Sequence, residues 1–283
     1  MACPTTENFH ISTTNEEIVA LCQDAKFSLG GESGHHVTRI AQNAVTKWGL
    51  NVTLDEANIQ DYVQRYADAR TLKVPEVFRY FQTWDGYRQH GYLVMEYVEG
   101  KHINEVAQNE MLPMLISAIK HLWAIPVPPN LPPGPFSGGK PRGYMWSDNG
   151  SPRSFHTLAE MQAFINWCIG FSDSTRKLAL NETPLMICHT DLVARNILSL
   201  ADGTICILDW GFAGIYPQSF EIYSLVAQST QEPHCGAVLQ ELGYSNASET
   251  PEIQLLDHVY TRLTCYLIVR LFITLEHAFT YVS

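Results

Sequence analysis

Two acids and an amide have the spacing in this chain that most suggests chemistry. Asp191 is followed five positions later by Asn196 and eighteen positions later by Asp209. Each acid closes an apolar run: Leu185–Cys188 precedes His189-Thr190-Asp191, and Ile205–Leu208 precedes Asp209-Trp210-Gly211. Short buried strands ending in acids and amides let a rigid scaffold present reactive groups on loops. Between the runs, Ala201-Asp202-Gly203 reads as a hairpin turn, because Asp-Gly readily supplies the positive φ a tight turn needs. Converging oxygen ligands suit Mg²⁺, a hard cation that binds few protein groups and completes its shell with phosphate oxygens and water. The cluster therefore predicts a metal–phosphate site.

Such a site needs elements to hold it, and the N-terminal part of the chain offers them. Two β-type runs, the first within Gly30–Ile40 and the second at Ala44–Gly49, are joined by the turn signal Gln42-Asn43, with glycines before the first. Glycines in such a hairpin let backbone N–H groups approach phosphates closely, although they also serve as simple turn residues. Lys47 sits on the second run. Shortly afterwards Leu54, Ile59, Tyr62, Val63 and Tyr66 make one face of a helix. Thr53-x-x-Glu56 has the form of a capping box at its start, and Asp55 is a second acid in the same turn. Val77–Gln82 and Gly91–Val98 read as two further strands around Asp85-Gly86.

The motifs H-T-D-L-V-A-R-N-I-L and I-L-D-W-G-F-A-G-I-Y-P resemble the catalytic centre of the protein-kinase-like fold, H-x-D-x-x-x-x-N followed by D-x-G. They look most like the aminoglycoside phosphotransferase and choline kinase branch, and within it the fungal phosphotransferase-family proteins. The resemblance implies an α+β, bilobal fold, with a small β-rich N-lobe (1–98) that binds nucleotide. A mainly helical C-lobe (99–283), carrying an inserted catalytic hairpin, would supply catalysis and substrate binding. It implies Asp191 as the base that orients an acceptor hydroxyl, Asn196 and Asp209 as Mg²⁺ ligands, and His189 as a brace for the loop. Lys47 would neutralise the phosphates of ATP, held by Glu56 or, as the other candidate, Asp55. Tyr92–Gly100 resembles the hinge strand, with the Glu96 carbonyl and Val98 N–H meeting the adenine and Met95 lining the pocket behind. The implied reaction is transfer of the γ-phosphoryl group of ATP·Mg²⁺ to a hydroxyl of a small molecule. A nucleotide-binding pseudokinase and a kinase-fold enzyme repurposed for other secondary-metabolite chemistry are the alternatives, since fold does not fix reaction.

The small-molecule acceptor follows from what is short. Tyr216-Pro217 comes only seven positions after Asp209, which leaves no room for a long peptide-docking segment. The acids Glu221, Glu232, Glu241, Glu249, Glu252 and Asp257 hint at a polar or cationic acceptor but read mainly as solvated surface.

Composition narrows the rest. At 283 residues the chain can bury one large core or two lobes sharing a cleft. With 17% charged and 46% hydrophobic residues it is too apolar for disorder. A net charge of −11 and the lack of a Lys/Arg-rich run argue against nucleic-acid binding. The N-terminus lacks the basic start and apolar core of a signal peptide, and Arg270 interrupts the longest apolar segment, Leu263–Leu275. The expectation is a cytoplasmic protein with no membrane span and no obligate protein partner. Seven scattered cysteines, without a C-x-x-C pair, read as reduced thiols.

Helices are expected at Glu16–Gln23, Ile103–Ile125, Leu158–Ile169, Phe220–Ala227 and Pro251–Thr274. The aromatics of Leu158–Ile169 are read as core. Pro126–Ser154, rich in Pro and Gly, fits no periodic element and resembles an insert of the fungal proteins. Its Arg142, Tyr144 and Trp146 compose a surface suited to gripping an organic acceptor.

Overall fold

A computed structural model describes residues 12–32, 35–106, 108–146, 150–170, 175–180 and 183–264. The architecture is α+β, with a β-sheet N-lobe and a helical C-lobe. The chain groups into two compact units, residues 1–125 with 193–213 and residues 126–192 with 214–283.

The first unit begins with α1 (Asn15–Cys22), which a complete Thr14/Glu17 capping box starts. Strands β1 (Ser28–Glu32), β2 (His35–Arg39), β3 (Ala44–Gly49), β5 (Val77–Trp84) and β6 (Gln89–Glu96) form an antiparallel sheet ordered β1-β2-β3-β6-β5. Its pleat sorts side chains between two cores. On one face Tyr92, Val94 and Ala44 bury Ile18 and Cys22 of α1. On the other, Leu93, Met95 and Val45 pack with Val52 and with Ala57 of α2 (Leu54–Tyr66). Lys47 lies two residues from Val45 on β3, so the same alternation turns it toward the α2 face. The close approach that seats the loop before α2 depends on Gly91, where a Cβ would stand 2.0 Å from the Val52 carbonyl oxygen.

A second sheet of the same unit is ordered β4-β10-β9-β7 and uses β4 (Leu72–Lys73), β7 (Lys101–His102), β9 (Ile197–Ser199) and β10 (Ile205–Ile207). The turn at Asp202-Gly203 is present, with Gly203 at φ 85°. It joins β9 to β10, however, and not the two apolar runs read from sequence. Leu185–Cys188 is β8, and it pairs with β11 (Gly214–Pro217) instead. Three residues of β9 were too short a run to stand out from the loop around them. The segment expected as one helix from Ile103 starts with a 3-10 turn at Ile103–Glu105, and α3 proper spans Gln108–Ala124.

The second unit contains the β8–β11 ribbon, α4 (Leu158–Gly170), α5 (Gln218–Gln228), α6 (Pro233–Glu241) and a helix over 251–264. The remainder of the expected Pro251–Thr274 helix lies outside the described residues. α6 was not anticipated, although Pro233 at its first turn is a start signal. On α4, Met161, Ile165, Cys168 and Ile169 are buried, but Trp167 is 56% exposed, so not all its aromatics are core. The Pro126–Ser154 stretch has no helix or strand among its described residues. It is nonetheless anchored, since Gly134 and Ile215 exchange backbone hydrogen bonds of 2.9 and 2.8 Å. Trp146 is 1% exposed and packs its ring against Phe155, Phe164 and Phe220. This corrects the reading of Trp146 as an acceptor-gripping side chain: the indole is worth more buried among rings than in a polar surface.

Five described cysteines, Cys22, Cys168, Cys188, Cys206 and Cys235, are free and buried. Burial pushes the thiol of Cys188 well above its ordinary range, so it is a packing group and not a reactive one. Among the described residues no helix is long and apolar enough to cross a membrane.

Candidate active site

The first unit brings Lys47, Glu56 and Asp209 together. Lys47 Nζ donates to Glu56 Oε1 at 2.5 Å and to Asp209 Oδ1 at 2.7 Å. The choice between Asp55 and Glu56 is thereby resolved by distance. Thr53 does cap α2, its hydroxyl accepting from the Glu56 N–H at 3.2 Å, while the Glu56 carboxylate reaches the lysine. Lys47 is 5% exposed and Glu56 is 1% exposed. Burial works to lower the lysine pKa, but the nearby Asp209 and Glu56 charges outweigh it and hold the pKa above its ordinary value. The ammonium is thus fixed in its charged form.

Asp209 takes φ 59°, a left-handed conformation that an aspartate tolerates better than most residues. Its position follows β10 directly, and the Gly211 N–H donates back to Asp209 Oδ1 at 3.4 Å. A Cβ at Gly211 would lie 3.3 Å from that same oxygen and 3.6 Å from Lys47 Nζ, so glycine leaves the acid–lysine pair uncrowded.

Lys47 and Asp209 line a cavity of about 450 Å³ that lies within the first unit. That volume is in the usual range for small-molecule and cofactor sites. Lys47, Asn196 and Asp209 line its polar end, and Val37, Val45, Met95, Leu198 and Leu208 supply apolar walls. Glu96 and Val98 line it where β6 ends. β6 ends at Glu96, two residues earlier than read from sequence. The Tyr97 N–H is taken by the Asn43 carbonyl at 2.9 Å, and the Glu96 carboxylate is paired with Lys73 at 2.6 Å. Glu96 and Val98 can therefore offer main-chain groups to a ligand without competition from the Glu96 side chain. Gln60 donates to Met95 Sδ at 3.4 Å, which orients the thioether.

Asp191 belongs to the second unit, on the loop after β8. His189 Nδ1 accepts from the Asp191 N–H at 3.3 Å, so the imidazole braces the residue two positions on. Glu221 of α5 grips the loop with both oxygens: Oε2 accepts from the His189 N–H at 2.6 Å and Oε1 from the Thr190 N–H at 2.9 Å. Thr190 has φ 58°, an uncommon state for a β-branched residue that persists where surroundings over-determine it. Farther along, His234 Nε2 lies 2.8 Å from the Leu192 carbonyl oxygen. Glu221 is fully buried, and burial raises its carboxyl pKa to about 7 despite the two N–H bonds that favour the anion. This corrects its reading as solvated surface. No sequence signal marked it: the glutamate is separated from Asp191 by thirty positions, and its partners are backbone amides.

Among the described residues no group of three or more His, Cys, Asp or Glu side chains forms a metal cage. Asn196, with a side-chain amide, and Asp209, with a carboxylate, both line the cavity. A two-ligand oxygen set fits Mg²⁺, which keeps most of its shell for phosphate and water.

The β-sheet N-lobe, with its buried lysine–acid pair, and the helical C-lobe make a kinase-like fold, and solved structures share it. The crystal structure of aminoglycoside phosphotransferase APH(4)-Ia is similar with a TM-score of 0.58 at 11% identity, over 83% of each chain. A thermostable mutant of that enzyme, in ternary complex with AMP-PNP and hygromycin B, is similar with a TM-score of 0.57 at 12% identity, over 85% of this chain and 87% of that one. A GDP and kanamycin complex of an APH(2") enzyme gives 0.51 at 15% identity, over 84% and 83%. No curated protein matches the chain. Residues 27–256 match the phosphotransferase enzyme family, APH, and the chain belongs to that family.

Proposed function

We propose that the protein is an ATP·Mg²⁺-dependent phosphotransferase that moves the γ-phosphoryl group to a hydroxyl of a small molecule, and that it works in the cytoplasm. The observation that carries this reading is the buried Lys47 shared between Glu56 and Asp209 at 2.5 and 2.7 Å, beside a nucleotide-sized cavity with a main-chain hinge. AMP-PNP and GDP complexes of similar folds support a nucleotide in that cavity. Their hygromycin B and kanamycin complexes support a small polar acceptor, which the short link between Asp209 and Tyr216 also favours. The Pro/Gly-rich insert supports a place in the fungal branch of the family.

In this reading residues 1–98 are the nucleotide-binding lobe and 99–283 the catalytic lobe. Glu96 and Val98 bind the adenine edge through the main chain, with Met95 behind it. Lys47, charged and held by Glu56, binds phosphate oxygens and balances charge as the phosphoryl group leaves. Asn196 and Asp209 would hold Mg²⁺, which supplies further neutralisation of the phosphates when bound. Asp191 accepts the proton of the acceptor hydroxyl, and Glu221 and His189 fix the backbone that carries it. Nucleic acids, membranes and an obligate protein partner have no part in this scheme.

Incubating the protein with ATP, Mg²⁺ and a metabolite library, with phosphorylated products identified by mass, tests the proposal. A product heavier than its acceptor by one phosphoryl group supports it. Nucleotide binding without turnover on any acceptor would point to the pseudokinase alternative, and a product without phosphate to repurposed chemistry.

A further inference from the structure

The pleat of β2 sends neighbouring side chains to opposite faces of the sheet. His36 goes to one face, where its ring centroid lies 4.7 Å from that of Trp48. His35 and Val37 go to the other and line the cavity. His35 Nε2 stands 3.8 Å from Asp209 Oδ2, while Lys47 Nζ holds Oδ1 of the same carboxylate at 2.7 Å. The glycines before it serve this placement. Gly31 has φ 150°, and a Cβ there would lie 2.5 Å from the His35 carbonyl oxygen, so only glycine permits so tight a hairpin.

The charges nearest the imidazole are those of Lys47, Glu56 and Asp209. Lys47 is shared between Glu56 and Asp209, so these three side chains together carry one net negative charge. A nucleotide triphosphate with one Mg²⁺ is itself anionic, and a lysine already neutralised twice over does not balance it. Arg195 also lines the cavity, and His35 adds a further donor 3.8 Å from the Asp209 carboxylate.

We infer that His35 is a phosphate-binding residue of the nucleotide site, its imidazole N–H donating to a β- or γ-phosphate oxygen. The inference rests on the nucleotide reading above and adds a side chain to a loop whose glycines suggested backbone contacts alone. When the site fills, the imidazole exchanges its place beside Asp209 for the phosphate.

Calorimetric titration of the full chain with MgATP, MgADP and adenosine tests it, in the wild type and in His35→Ala and His35→Gln. Loss of one hydrogen bond to a charged group corresponds to about tenfold in affinity. His35→Ala is expected to weaken MgATP by that order and to leave adenosine, which carries no phosphate, unchanged. His35→Gln keeps an N–H donor and is expected to recover part of the loss. Unchanged MgATP affinity in His35→Ala, or equal weakening of MgATP and adenosine, overturns the inference while the nucleotide reading stands. A wild-type protein that binds none of the three ligands overturns the nucleotide reading itself, and this inference with it.

Discussion

Glu221→Gln isolates the buried carboxyl that holds the Asp191 loop. The wild-type group moves from an ordinary value of 4.5 to about 7 on folding, because burial penalises its charged form. Between these values the folded state binds more protons than the unfolded state, so this group's contribution to stability is full below about pH 4.5 and is lost as pH rises through about 7. At about 1.4 kcal/mol per pKa unit, the loss between pH 5 and pH 8 is about 2–3 kcal/mol. Glutamine cannot titrate, and its amide places an NH₂ group against one of the two loop N–H donors, His189 or Thr190. That mismatch costs about 1–3 kcal/mol at every pH. The variant should therefore have a flatter stability–pH profile than the wild type over pH 5–8, offset by a constant. Urea unfolding of both proteins at several pH values reads the slope directly. Parallel profiles would refute the assignment of a buried, titrating carboxyl at this position. Turnover should also fall in Glu221→Gln with nucleotide affinity unchanged, because Lys47 and the cavity belong to the other compact unit.

Asp209→Asn should abolish Mg²⁺-dependent nucleotide binding and retain cooperative unfolding, since Lys47 keeps Glu56 at 2.5 Å; a magnesium titration with unchanged midpoint would remove Asp209 from the metal site. Asp191→Asn should lower turnover by orders of magnitude with little change in ATP affinity, and a parallel fall in ATP binding would exclude a role as base. Trp146→Ala should act through stability, at about 3–5 kcal/mol for a fully buried indole in an aromatic cluster, as read by urea unfolding. A variant of wild-type stability with a raised acceptor KM would restore the surface reading of that residue.

Much of the candidate site was legible in sequence because its parts are local. Asp191 and Asn196 are five positions apart, Asp209 follows an apolar strand, and Lys47 sits on a strand shortly before an amphipathic helix. Period-two and period-3.6 patterns are written in neighbouring residues, so they survive without any knowledge of the fold. What the sequence could not decide depends on which surfaces meet. Which of the adjacent acids Asp55 and Glu56 meets the lysine depends on how the helix packs, and it is Glu56 that reaches Lys47. Leu185–Cys188 pairs with Gly214–Pro217 rather than with Ile205–Ile207, a matter of strand partners far apart in the chain. Trp146, followed by Ser147 and Asp148, is buried, and Trp167, on a helix rich in apolar residues, is exposed, because burial is set by what packs on each face. Glu221 looked like one more surface acid, and only the folded backbone, turning two N–H groups toward α5, made it the anchor of the Asp191 loop.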